Sequence, residues 1–192
     1  MKLQINALLA GCLLSYTILS GQQSSLENPA RNWITQNSRN IGLQDFSTLK
    51  LSFVRKGNSG ETLRFQQMIG NIPVFQSEIV MHFNKNGQIS YTATESFKKN
   101  VQEINTEPAV SSVDALKKAH ISSHFKGDIT FEEAKLYVFV TDQNETKLVY
   151  RVLTSSYENP GSWETIIDAK TGEVISVKDI SFRHKEKEKP EK

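Results

Sequence analysis

The residues best suited to chemistry are His120 and His124, four apart in the run His120-Ile121-Ser122-Ser123-His124 on a predicted helix. Two imidazoles at that spacing share a helical face and can hold zinc, with a glutamate beside the first taking a proton from the metal-bound water. Here that neighbour is Ile121, whose side chain has no proton-accepting atom, and no third-ligand motif follows. The pair therefore reads as one histidine on the packed face of the helix and one near its exposed end beside Phe125, and neither a metal site nor a cofactor is assigned. His82 falls on the strand face opposite Met81 and Phe83, near Glu78, and reads as a surface histidine paired with a carboxylate; His184 lies in a charged tail. Nucleophiles are equally scarce. The single cysteine is Cys12, no Gly-x-Ser-x-Gly elbow occurs, and no glycine-rich loop could cradle a phosphate. No catalytic residue is assigned, and the chain is expected not to be an enzyme.

The elements around these residues are those of a folded protein. The 192 residues are 38% hydrophobic and 23% charged, which suffices for one or two small cores. The first 21 residues stand apart: Lys2, an apolar run from Ile5 to Leu19 without acids, then Ser20-Gly21 read as a secretory signal peptide, placing the chain in a secreted or periplasmic setting. Leu9-Ala10-Gly11-Cys12 also fits a lipoprotein cleavage site, which would anchor the chain by a lipid on Cys12; otherwise the processed chain touches no membrane and holds no cysteine. Removing the segment takes away Lys2 and no acid, so the net charge falls from +2 to +1. Charges alternate in sign without a basic stripe, which excludes a nucleic-acid reader.

Residues 22–98 form a first unit. Asn28-Pro29 opens a helix to about Ile41, Leu49, Leu51 and Phe53 alternate as a strand, and residues 61–95 form a meander. In the meander Leu63, Phe65, Gln67 and Ile69 point inward, Gly70-Asn71 reverses the chain, and Phe75, Ser77, Ile79, Met81 and Phe83 return on the dry side. Gln67 must then find backbone partners near the Gly70-Asn71 turn. Asn84 to Gly87 turns the chain again before Ile89, Tyr91 and Ala93. Residues 99–110 are polar and end in Glu107-Pro108, a connector. Residues 111–181 repeat the order: Ser111-Ser112-Val113-Asp114 starts a helix whose face carries Val113, Leu116, Ala119, His120 and Ser123, and strands follow over 134–141, 147–153, 163–168 and 173–180. Trp163 reads as a core anchor and Asp168-Ala169-Lys170-Thr171-Gly172 as a hairpin turn; residues 182–192 are a charged, disordered tail. Asn144-Glu145-Thr146 is a glycosylation sequon, relevant in a eukaryotic host. The expected fold is α+β, two consecutive cystatin-like units, each one helix packed on a four-stranded antiparallel sheet.

Two stretches carry a family resemblance. Arg64-Phe65-Gln66-Gln67, then Ile72-Pro73-Val74-Phe75 and a strand closed by Asn-Gly, resembles the FTP module in the pro-region of fungalysin- and thermolysin-type secreted zinc metalloproteases, with Ile69 where an aromatic is usual and Gly70-Asn71 in place of a residue followed by glycine. Leu148 to Val152, Trp163 and Asp168 to Ile175 resemble the PepSY module that follows it. The resemblance implies a propeptide-like inhibitor and folding chaperone whose partner is a zinc metalloprotease catalytic domain. That domain would be encoded separately or lie in the remainder of a precursor, because no His-Glu-x-x-His occurs here. It implies contact roles for the last strand, where Lys178, Asp179 and Ile180 are the candidates, and for Arg64 and Gln67 either such a contact or, as the favoured reading, a structural role; Pro73, Trp163, Asp168 and Gly172 take folding roles. A binding module that recognises a peptide or an envelope component is the alternative.

Overall fold

The computed structural model describes residues 24–123, 127–157 and 161–181. The signal segment with Cys12, His124 with Phe125, and the tail with His184 lie outside them.

The chain runs helix then four strands, twice: α1 (Glu27–Gln36), α2 (Ser38–Ile41), β1 (Ser47–Gly57), β2 (Gly60–Ile69), β3 (Ile72–Asn84), β4 (Ile89–Ala93), then α3 (Ser112–Ser122), β5 (Ile129–Val140), β6 (Thr146–Ser156), β7 (Ser162–Asp168) and β8 (Val174–Asp179). This is a mixed α+β architecture, but the strands form one eight-stranded sheet rather than two separate ones. Its order is β1-β2-β3-β5-β6-β7-β8, with β4 on β3. All pairings are antiparallel except the joint, where β3 and β5 run parallel through Val74 opposite Val138.

The expected first helix is broken. Asn37 donates its side-chain amide to the Trp33 carbonyl at 2.8 Å, and at φ −104° and ψ 7° it leaves helical geometry, so α2 starts afresh. A side chain that bonds the preceding turn competes with the backbone ladder. The helix also starts earlier than Asn28-Pro29 suggests: Ser24 accepts the Leu26 N–H at 3.0 Å, and Pro29 sits inside the first turn, where its missing N–H costs nothing.

Each helix covers one face of its four strands. Ala30, Ile34 and Ile41 pack on Leu63, Phe65, Ile79, Met81 and Phe83, with Phe97 closing the end. Ala115 and Ala119 of α3 lie on Leu148, Tyr150, Val152 and Ile167. Of the expected helical face, Ala119 and Ser123 are buried and Leu116 packs against the cluster, whereas Val113 is exposed and Ala115 takes the close approach at that end. A third cluster of Ile69, Val74, Val101 and Val138 sits at the joint, with Ile72 and Ile104 against it.

The polar stretch 99–110 is strapped down rather than loose. Val101 is buried in the joint, the Gln102 N–H donates to Thr146 Oγ1 at 2.9 Å, and Asn100 donates to Asn144 Oδ1 at 3.3 Å. Two apolar residues spaced among polar ones are enough to anchor an extended segment.

Candidate functional site

The run Arg64-Phe65-Gln66-Gln67 faces a large irregularity in β3. Gln66 pairs with Glu78 and Met68 with Pro73, so residues 74–77 of β3 stand opposite Gln67 alone. Gln76 takes up the slack at φ +51°, a left-handed conformation that costs a non-glycine residue about 1–2 kcal/mol. The two glutamines satisfy the groups this bulge strands, one from each face. On the outer side Gln66 Nε2 donates to the carbonyls of Val74 (2.7 Å), Ser77 (2.9 Å) and Gln67 (3.0 Å). On the inner side Gln67, fully buried, donates to Ser47 Oγ at 2.9 Å and more weakly to the Lys98 carbonyl at 3.4 Å. Ser77 Oγ donates to Gln67 Oε1 and accepts the Lys98 N–H at 2.9 Å. Gln67 thus ties β1, β3 and the segment after β4 together, and its partners are not the Gly70-Asn71 turn expected from sequence. The reason is the bulge, which brings Ser77 across from it.

The same bulge changes the face on which Phe75 lies. Val74 takes the buried position, and Phe75 turns to the other side, where its ring meets Tyr137 at 5.5 Å and Phe139 at 5.8 Å, with the Arg151 guanidinium 5.7 Å above it. The expected dry-side row therefore breaks at Gln76. Arg64 is on the outer face, half-exposed, paired with Glu78 at 3.0 Å and lying over Phe53 at 5.8 Å. Pro73 is the second residue of β3 and is paired opposite Met68.

In the second half, Asp168 Oδ1 accepts the N–H groups of Lys170 (2.8 Å) and Thr171 (3.0 Å), and its carbonyl accepts the Gly172 N–H at 2.8 Å. Gly172 has φ +75°, and a Cβ there would sit 3.0 Å from the Lys118 side chain and 3.4 Å from Val110. The turn is thereby pressed on the start of α3. It also holds the strap, since the Ala169 carbonyl accepts the N–H groups of Ala109 (2.9 Å) and Val110 (3.0 Å), and the Tyr150 hydroxyl donates to the Val110 carbonyl at 3.0 Å. Burial raises the pKa of that phenol. Trp163 is only half-buried, pairs with Asp179 across β7 and β8, and stands outside all three apolar clusters. Lys178 lies opposite Glu164, and the Asp179 carboxylate accepts the Ser181 N–H at 2.8 Å. Ile180 is exposed beyond β8, its N–H bonded to the Ser162 carbonyl at 2.9 Å.

Both described histidines, His82 and His120, are half-buried and meet a polar side chain. His120 meets Glu132 at 3.0 Å, and His82 Nδ1 is 2.8 Å from Thr62 Oγ1, not from a carboxylate, because Thr62 is its direct cross-strand neighbour. Among the described residues no three His, Cys, Asp or Glu side chains gather where they could hold a metal ion. No described helix is long and apolar enough to cross a membrane. Sequence reasoning overlooked Gln66 as a bonding residue and the aromatic group of Phe75, Tyr137 and Phe139; the adjacent glutamines were the available signal for the first.

The described residues thus form two helix-and-strand halves joined through one sheet. Residues 48–91 match the Fungalysin/Thermolysin Propeptide Motif, and residues 109–178 match the Peptidase propeptide and YPEB domain. The chain thus carries two propeptide-type modules of the kind found in the pro-regions of fungalysin- and thermolysin-type proteases, and such domains associate with a protease catalytic domain. No curated protein matches it. Among solved structures, the Bacillus megaterium YpeB C-terminal domain is 19% identical at a TM-score of 0.43, with 82% of this chain and 66% of that one covered. This chain therefore spans just under two thirds of that structure. A Clostridium difficile 630 protein described as a lipoprotein is 10% identical at a TM-score of 0.32, with 79% and 90% covered. At TM-scores below 0.5 neither likeness defines this chain's fold or role.

Proposed function

We propose that the chain is a secreted or envelope-held inhibitor and folding chaperone of a thermolysin- or fungalysin-type zinc metalloprotease. The observation that carries this reading is the occurrence of both propeptide modules, in tandem, over more than half of the chain. Lys178 to Ile180, at the free edge of the sheet, supply the segment that approaches the protease cleft, whereas Arg64 and Gln67 act chiefly by holding β1, β2 and β3 in register. Cystatin-like describes each helix-on-sheet half in this reading, and the parallel joint makes the two act as one body.

Energetics set what such a protein must do. A pro-region tethered to its protease works at an effective concentration of about millimolar, whereas a free one needs a Kd of about 1 μM, near −8 kcal/mol. Acting on a separate protease therefore requires an apolar anchor beside the extended segment. The test is co-refolding: a denatured thermolysin-type catalytic domain is renatured with and without the chain, and casein cleavage is followed. A raised yield of folded protease whose cleavage is suppressed until the chain is removed supports the reading. Equal yields and undiminished cleavage overturn it.

A further inference from the structure

We propose that the second half binds at least one internal water beneath the C-terminal end of α3, held by Ser123, Thr154, Trp163 and Thr165. Two contacts fix how the helix lies on the sheet. At its start the Tyr150 hydroxyl donates to the Val110 carbonyl at 3.0 Å; at its end His120 meets Glu132 at 3.0 Å, and Glu132 stands directly opposite Thr154. Ala115, Ala119 and Ser123 therefore step along α3 as Tyr150, Val152 and Thr154 step along β6, since four helical residues and two strand residues each advance about 6–7 Å. Thr154 pairs with Trp163 and Val152 with Thr165. Directly opposed residues share a face, so these polar side chains lie on the helix side of the sheet, at the end that Ser123 covers.

Each carries a polar atom cut off from solvent. Ser123 is 0% exposed and Thr154 and Thr165 1% each, and the Trp163 indole nitrogen is buried although its ring is only half so. Among the described residues, none of Ser123 Oγ, Thr154 Oγ1, Thr165 Oγ1 and Trp163 Nε1 has a hydrogen-bond partner. Burying one such group unpaired is costly, and four on neighbouring positions call for a shared ligand. Their chemistry selects it. The indole N–H only donates, so the occupant must accept a hydrogen bond, which a metal ion or an ammonium cannot do. Three neutral hydroxyls bring no charge to balance an anion. Water accepts and donates, and a buried water commonly has about three polar partners. Bonded to both strands and to Ser123, it ties the end of α3 to β6 and β7, beyond the apolar cluster around Ala115 and Ala119.

The test is oxygen-17 magnetic relaxation dispersion of water, measured on the full chain and on the double variant Thr154→Val/Thr165→Val, which keeps side-chain shape and removes both hydroxyls. The expected result is a loss of dispersion amplitude in the variant equivalent to one or more long-lived waters. Equal amplitude in the two proteins overturns the site. Should the double variant not fold, the urea midpoints of the two single variants decide. Each removes one partner of the water and strands the others, so each should lower the midpoint, whereas a hydroxyl buried dry is replaced by a methyl group without loss or with a gain. A midpoint unchanged or raised in either single variant overturns the proposal.

Discussion

Gln67 does for the first half what a disulfide does in many secreted proteins: it links segments far apart in sequence without contributing to an apolar face. Its amide reaches Ser47, twenty residues earlier, and Lys98, thirty-one later, and accepts from Ser77. In a buried site the cost of a missing partner exceeds the worth of the bond, because the orphaned hydroxyl cannot return to water. Replacing Gln67 by Met keeps the volume and strips the amide, so it should destabilise the chain by about 1–3 kcal/mol, read as a lower urea midpoint. The inward position of Gln67 was legible from strand alternation, since it lies in line with Leu63, Phe65 and Ile69. Its partners were not, because they depend on which residue of β3 comes opposite, and a bulge of that size leaves no periodic trace.

Two elements carry local strain or charge that can be tested in isolation. The β3 bulge stores its cost at Gln76. Glycine adopts positive φ freely but loses more entropy on folding, so Gln76→Gly should stabilise by a net of about 0.5–1 kcal/mol, measured as a raised melting temperature, while Gln76→Val should do the opposite. Helix α3 is capped by Ser111, whose Oγ accepts the Asp114 N–H at 3.1 Å and donates to the Asp114 carboxylate at 2.8 Å. That hydrogen bond, followed by the nearby Lys117, lowers the pKa of Asp114. A depressed carboxyl pKa adds stability that is fully present above the ordinary aspartate value, near 4, and is lost as pH falls through the lower folded-state value. Denaturant midpoints of wild type and Asp114→Asn should therefore differ at neutral pH and draw together as the pH falls below the ordinary aspartate value. The serine cap and the strands were legible in the sequence because caps and alternation are local. The break at Asn37 was not, since an asparagine inside a helix-length pattern bonds either solvent or the preceding turn, and sequence does not say which.

At the scale of the molecule, the joint makes two marginal halves into one body. Below about ninety residues a single core is small, and each half here shares the cluster of Ile69, Val74, Val101 and Val138 with the other. The helix-and-four-strands repeat could be read from residue order, but the parallel bridge of Val74 to Val138 joins positions more than sixty residues apart and leaves no sequence signal. One sheet continuous across both halves leaves β1 and β8 as the edge strands of its main path. The most direct test is calorimetric titration of a thermolysin-type catalytic domain with the whole chain. Saturable one-to-one binding with a Kd of about 1 μM or tighter, accompanied by loss of casein cleavage, is the predicted result. Absence of binding at a hundredfold higher concentration, with cleavage intact, would contradict the account.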